Sequence, residues 1–294
     1  MELVTNEERV RKQKRKRDFT LLKRFAKNKM AIFGLAIIVL QIFLAIFAPL
    51  LTQHHPEIGT LAHSNLPIGT DSYLLGTDAL GRDLLTRVLF GARISLVVGS
   101  AAVALGLVGG IALGVLAGYY RKLDAVIMRF VDLLFSFPGV LLAMLIIAVL
   151  GTSLMNVIIA ISIWSVPACA RIVRASVLEI KNREYILALR SIGASDLRII
   201  FLHILPNCMS AIIVFATMRM ATAILSAASL SFLGLGAQPP TPEWGAMVAS
   251  GRELMWTSPH VMVIPGIAIM LVVFAFNIVG DALRDALDPN MNLD

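Results

Sequence analysis

The stretch Arg183–Asn207, REYILALRSIGASDLRIIFLHILPN, decides how this chain is read. It is charged, broken by Gly193, amphipathic, and set between long apolar runs. Tyr185, Ile186, Ala188, Leu189 and Ile192 fall at helical spacing on one face after Glu184. Gly193 fits a helix C-cap, Ser195 and Asp196 fit a fresh N-terminus, and a second short helix is expected to run until Pro206 stops it. Two short helices at an angle, apolar on one side and charged on the other, suit a groove in another protein. The segment is too polar for hydrocarbon and too apolar for a relaxed loop, so its apolar face needs a partner outside the bilayer.

The runs on either side are membrane-like. Only 15% of the 294 residues are charged, where a soluble domain carries about a quarter, and the mean hydropathy is +0.81. Six blocks approach or exceed the roughly 20 apolar residues that a span needs: 31–51, 94–118, 130–150, 154–170, 209–233 and 260–280. Backbone groups in lipid must be satisfied within the element, so the expected class is an all-α membrane protein of six spans. Ten-residue alternating strands of the barrel type are not evident.

The net charge of +7 is explained by its distribution. Eleven of the 26 Lys and Arg precede residue 31, within a basic tail over 1–30. Arg121, Lys122 and Arg129 follow the second span, six more lie in 171–207, and Arg284 follows the last span. The opposite segments hold only Arg82, Arg87, Arg93 and Arg252. The positive-inside rule then places both termini and the 171–207 segment in the cytoplasm, in a cell (inner) membrane. The basic tail reads as a topology signal with affinity for anionic lipid, not as a nucleic-acid site. Met30–Leu51 exceeds a signal-peptide core, so the first span is expected to stay in the mature chain. Cys169 and Cys208, near cytoplasmic span ends, read as small apolar packing residues.

The second span carries Gly106, Gly110, Gly114 and Gly118 at a strict four-residue interval, a flat stripe for close helix packing. Pro138, Pro167 and Pro265 fall inside spans three, four and six, where each is expected to kink its helix. In the external segment 52–93, Leu75–Arg87 (LGTDALGRDLLTR) reads as a short amphipathic helix at the outer surface. The sharper alternative is a docking surface using Asp78, Arg82 and Asp83. The second external loop, 234–259, is stiffened by Pro239, Pro240 and Pro242, with Glu243, Trp244 and Trp256 placed for the interface; it is also a candidate re-entrant lid.

Ionisable residues inside spans are functional hypotheses. Arg219, midway along the fifth span, is read either as a substrate contact or as one half of an inter-helix ion pair; Ser229 and Ser231 join it as candidate pathway residues. Arg129 and Asp132, three apart, read as a local pair, and Asp281, Arg284 and Asp285 in the tail over 281–294 read likewise. His54, His55 and His63 share an external loop, where a metal-binding reading stands beside ordinary exposed residues. No Walker A, His-Glu-x-x-His or Gly-x-Ser-x-Gly sequence is present, so the chain is expected neither to hydrolyse ATP nor to act as an intramembrane hydrolase, and to bind no cofactor or metal.

The opening stretch resembles the cytoplasmic loop of ABC importer permeases, whose pattern is Glu-Ala-Ala, three residues, Gly, then Ile-x-Leu-Pro. Ala188, Gly193, Leu205 and Pro206 match it; Leu187 stands where the family has Glu, and Leu189 where it has Ala. LGTDALGRDLLTR, GARISL, MRFVDLLFSFP, SLSFLGLGAQPPTPEWG and FNIVGDALRDALDP are similar to the second permease subunit of the dipeptide, oligopeptide and nickel importers. The resemblance implies the type I importer permease fold. It also implies a similar second permease, two cytosolic ATPases that carry ATP and Mg, and an external substrate-binding protein. It further implies that Glu184, Tyr185, Ala188, Leu189, Arg190, Gly193, Ala194, Ser195, Asp196 and Pro206 couple the membrane pathway to an ATPase. Di- or oligopeptides are the expected substrate, with nickel the alternative. A membrane receptor or scaffold recruiting a cytosolic protein through the same loop is the rival class.

Overall fold

The computed structural model describes residues 25–70 and 72–287; most of the basic tail, and residues 288–294, lie outside them. The helices are α1 Lys29–Leu51, α2 Leu84–Tyr119, α3 Arg121–Phe135, α4 Gly139–Leu150, α5 Leu154–Lys181, α6 Glu184–Ser191, α7 Asp196–Ile199, α8 Leu205–Phe232, α9 Trp244–Gly251 and α10 His260–Leu287. A π-helical turn at Ile200–Ile204 joins α7 to α8. Five stretches are long and apolar enough to cross a membrane, counting α7 through α8 as one, and six if the bent pair α3–α4 forms a single span.

The glycine stripe explains the central contact. Gly106, Gly110, Gly114 and Gly118 of α2 meet Ser165, Cys169, Val173 and Val177 of α5, residues that themselves recur every fourth position. A Cβ at Gly106 would lie 2.8 Å from Ser165 Cβ, and one at Gly118 would lie 2.7 Å from Val177 Cβ. Any side chain on the stripe would force the helices apart. Cys169 and Cys208 are buried in the same packing, as small apolar residues. With 36 residues, α2 is about 54 Å long, well beyond the roughly 30 Å of hydrocarbon. It starts at Leu84, ten residues before the apolar block, because Asp83 caps it by accepting from Thr86 N at 2.9 Å.

Several expectations are corrected. Leu75–Arg82 forms turns, not a surface helix, because Gly76 and Gly81 adopt φ of +79° and +70°. Asp78 pairs with Arg82 at 2.7 Å and with Arg87 at 3.4 Å; Asp78, Arg82 and Asp83 are buried and present no docking surface. At Pro138 the expected kink is a full break: α3 and α4 meet at 90° across Ser136–Pro138. Pro138 cannot continue a helix after Phe137, whereas Pro167 and Pro265 lie within helices assigned as continuous. Asp132 binds Arg171 of α5 at 2.6 Å, not its near neighbour Arg129. Arg171 also stacks 4.1 Å from the centre of the Phe135 ring, a geometry Arg129 does not share. Among the described residues no ion pair forms between Asp281, Arg284 and Asp285.

The helix after Gly193 does not stop at Pro206 either. It widens into the π-helical turn, with Leu205 N donating to Ile200 O, and Pro206 then takes the second position of α8. The π turn changes the register of the hydrogen-bond ladder just before Pro206, where the ring leaves no N–H for an i→i−4 bond.

Past α8, residues 234–259 fold back onto the bundle. Trp244 is fully buried, donating Nε1–H to Val88 O at 2.9 Å; it is a core residue and not the interfacial aromatic its sequence position had indicated. Trp256 is 88% exposed. Glu243 caps α9 by accepting from Ala246 N at 2.9 Å and also accepts from Ser95 at 3.3 Å. Burial pushes its pKa up, against the pull of these hydrogen bonds. Arg87 ties this loop to the 52–83 segment, donating to Pro56 O at 2.7 Å and Pro240 O at 3.3 Å. His54 and His63 both engage Tyr73, by stacking at 4.8 Å and by a 2.9 Å hydrogen bond. No group of three metal-binding side chains occurs among the described residues.

Candidate functional site

Two places emerge, at the start and in the middle of α8. At the first, α6 ends in a closed cap. Gly193 has φ +78°, its N–H donates to Arg190 O at 3.0 Å, and Ala194 N donates to Leu189 O at 3.0 Å. This is the paired Schellman pattern, which needs a left-handed residue and so favours glycine. Glu184 in the first turn and Arg190 in the last complement the helix dipole. Ser195 precedes α7, yet its side chain makes no cap bond. Asp196 instead accepts from Tyr119 Oη at 2.6 Å.

That contact was hidden in the sequence, because 77 residues separate its partners. Lys181 adds to it, donating to Tyr119 O at 2.6 Å, and Arg190 lies 5.0 Å from the Tyr119 ring centre. The end of α2 therefore positions both short helices. The only local hint was Tyr119–Tyr120 at a span end, where aromatic residues gather.

Ile186 and Ile199 are fully buried against Val177, Ile180 and Ile204, with Leu189 and Ala194 packed alongside. The outer face stays open: Glu184, Tyr185, Ala188, Arg190, Gly193, Ser195, Asp196 and Pro206 are exposed. So are Leu187 (50%), Ile192 (80%) and Leu197 (66%). Beside this segment a cleft of about 620 Å³ opens between α5, α8 and α10, with Ser176, Glu179, Arg183, Asn207, Ser210 and Arg284 among its lining residues.

Mid-way along α8, Arg219 donates Nε–H to Ser165 Oγ of α5 at 3.1 Å and lies 4.6 Å from the centre of the Trp164 ring. It joins no ion pair among the described residues, so the inter-helix pair considered from sequence is not formed there. Ser229 donates to Leu225 O of its own helix at 2.8 Å. Ser231 is buried, its hydroxyl accepting from Ala237 N at 3.4 Å where the chain leaves α8. Ten residues separate Arg219 from Ser229, about 15 Å along a helix, so the three side chains do not converge.

Residues 110–293 match the family described as the binding-protein-dependent transport system inner membrane component. Residues 19–67 match the N-terminal TM domain of oligopeptide transport permease C. The dipeptide transport system permease protein DppC of Alkalihalophilus pseudofirmus is 49% identical over 92% of this chain and 88% of its own. The glutathione transport system permease protein GsiD of Escherichia coli is 51% identical over 92% and 89%. A chain in an inward-facing structure of the MetNI methionine ABC transporter shares the fold, with a TM-score of 0.57, 21% identity, and coverage of 69% of this chain and 96% of that one. The first family match spans more than half the chain, and identity near one half extends over nine-tenths of it. The chain is thus a membrane permease subunit of an ABC importer, of the C type found in the dipeptide and oligopeptide family.

Proposed function

We propose that this subunit forms half of a peptide-import pathway, paired with a similar permease, and that an ATPase drives it through residues 184–196. Two cytosolic ATPases supply ATP and Mg chemistry, and an external binding protein delivers the substrate. Both termini and the α6–α7 segment face the cytoplasm, a topology supported by the clustering of Lys and Arg at that end. Support for a di- or oligopeptide substrate, over nickel, comes from relatives named for dipeptide and glutathione transport and from the lack of a metal-binding cluster among the described residues.

The observation that carries the coupling role is the two-sided α6–α7 segment. Its inner face is anchored by Ile186 and Ile199, while Leu187, Ile192 and Leu197 remain uncovered. A segment fixed on one side, with uncovered apolar side chains set among charged ones on the other, is built to transmit a push from a partner. Leu187, where the family has Glu, adds apolar area in place of a charge. Ala188→Arg and Gly193→Glu test the role in the complete transporter reconstituted in liposomes. Substrate-stimulated ATP hydrolysis and uptake are both lost if the reading is right; unchanged rates in both variants reject it.

A further inference from the structure

We infer that Arg219 is a recognition point for the carboxylate of the transported molecule, first of all the C-terminal carboxylate of a peptide. The inference rests on reading the chain as a peptide permease. A guanidinium offers five N–H donors and keeps its charge. Arg219 spends Nε–H on Ser165 Oγ. Its two terminal nitrogens donate to no group among the described residues, and no carboxylate there lies within 4.0 Å.

Other arginines of the chain show what a structural role looks like. Arg174 closes its fork on Asp124 with bonds of 2.6 and 2.7 Å. Arg87 donates to two loop carbonyls and pairs with Asp78. Arg219 instead keeps its fork open at mid-span, half-buried, where a charge is retained only beside a partner or a water-filled passage.

The fork is also held in place. Trp164 lies beneath the guanidinium, and the start of α4 presses on the indole so closely that a Cβ at Gly139 would overlap the ring. A planar cation fixed by stacking and one hydrogen bond matches a carboxylate in bidentate fashion. A single cation also gives a contact that a moving substrate can leave, as a pathway requires.

The test uses the complete transporter in liposomes, with Ala-Ala and its C-terminal amide as probes. For Ala-Ala, uptake by Arg219→Gln is expected to fall about 10- to 100-fold, the loss of a charged hydrogen-bonding partner, with Arg219→Lys recovering part of it. For the amide, wild type and Arg219→Gln differ by less than about threefold. Comparing two transporters on one peptide cancels any preference of the binding protein. Equal losses on both peptides, or no loss on Ala-Ala, overturn the inference. Mass-spectrometric measurement of phenylglyoxal modification at Arg219 supplies a readout independent of transport: Ala-Ala protects the residue and the amide does not. Equal protection or none overturns the inference too. A wild-type complex that hydrolyses ATP but carries no peptide fails the peptide reading, and the modification result still decides the carboxylate contact.

Discussion

At the α9 end of the bundle, Asp78 holds Arg82 and Arg87 away from water, Glu243 caps a helix from a buried position, and Trp244 is fully enclosed. At the α6 end, Leu187, Ile192 and Leu197 are half or more exposed, and Tyr119 and Lys181 hold the segment from behind. One end buries charged groups and pairs them within the chain, Asn65 Oδ1 and Asp83 Oδ1 being left without a hydrogen-bond partner among the described residues; the other presents Leu187, Ile192 and Leu197 on a segment tied down from behind. The difference separates an end whose buried charges are fixed within the chain from a short two-sided segment that is proposed to meet another protein.

The comparison breaks most readily at Asp78. Replacing it with Ala leaves two buried guanidinium groups without their carboxylate, and the loss of stability is expected to be about 3–5 kcal/mol. Denaturant titration of the purified permease measures it, and a loss below about 1 kcal/mol would mean that the α9 end is not held from within. Glu243 sharpens the contrast on a smaller scale. Because burial raises its folded pKa, the folded chain binds this proton more tightly than the unfolded chain does. The group's contribution to stability therefore falls as pH rises above the unfolded value of about 4.3. Glu243→Gln should flatten the pH dependence of the melting temperature above about pH 4.3; an unchanged slope would show that other groups set it.

The smallest stability effect belongs to the other end. Ile192→Ser, at an 80% exposed position, should change unfolding free energy by less than about 0.5 kcal/mol, while substrate-driven ATP hydrolysis in the assembled transporter drops severalfold. A large stability loss would place Ile192 in the chain's own core and erase the difference between the ends.

Features with a local period were readable before any coordinates. The four-residue glycine interval and the Gly193 cap are both governed by neighbours within a turn or two. Charge pairs were not readable in the same way. Asp132 is three residues from Arg129, yet it reaches Arg171, and Asp124 reaches Arg174 across 50 residues. Helix packing chooses such partners, and sequence spacing carries no record of it. The segment Leu75–Arg82 misled because Leu75, Ala79 and Leu80 fall close to helical spacing, while two glycines at positive φ send the chain into turns. At Arg219 the sequence showed the charge but not the stacking on Trp164 that fixes its direction.

The π-helical turn at Ile200–Ile204 makes Asp196–Phe232 a single rod of 37 residues. Arg219 stands 23 positions beyond Asp196, roughly 35 Å along that rod. The bilayer's width is bridged by one mechanical element with no loop in which displacement can dissipate. If residues 184–196 receive the push proposed above, a tilt at the foot of this rod reaches Arg219 only through the five residues of the turn.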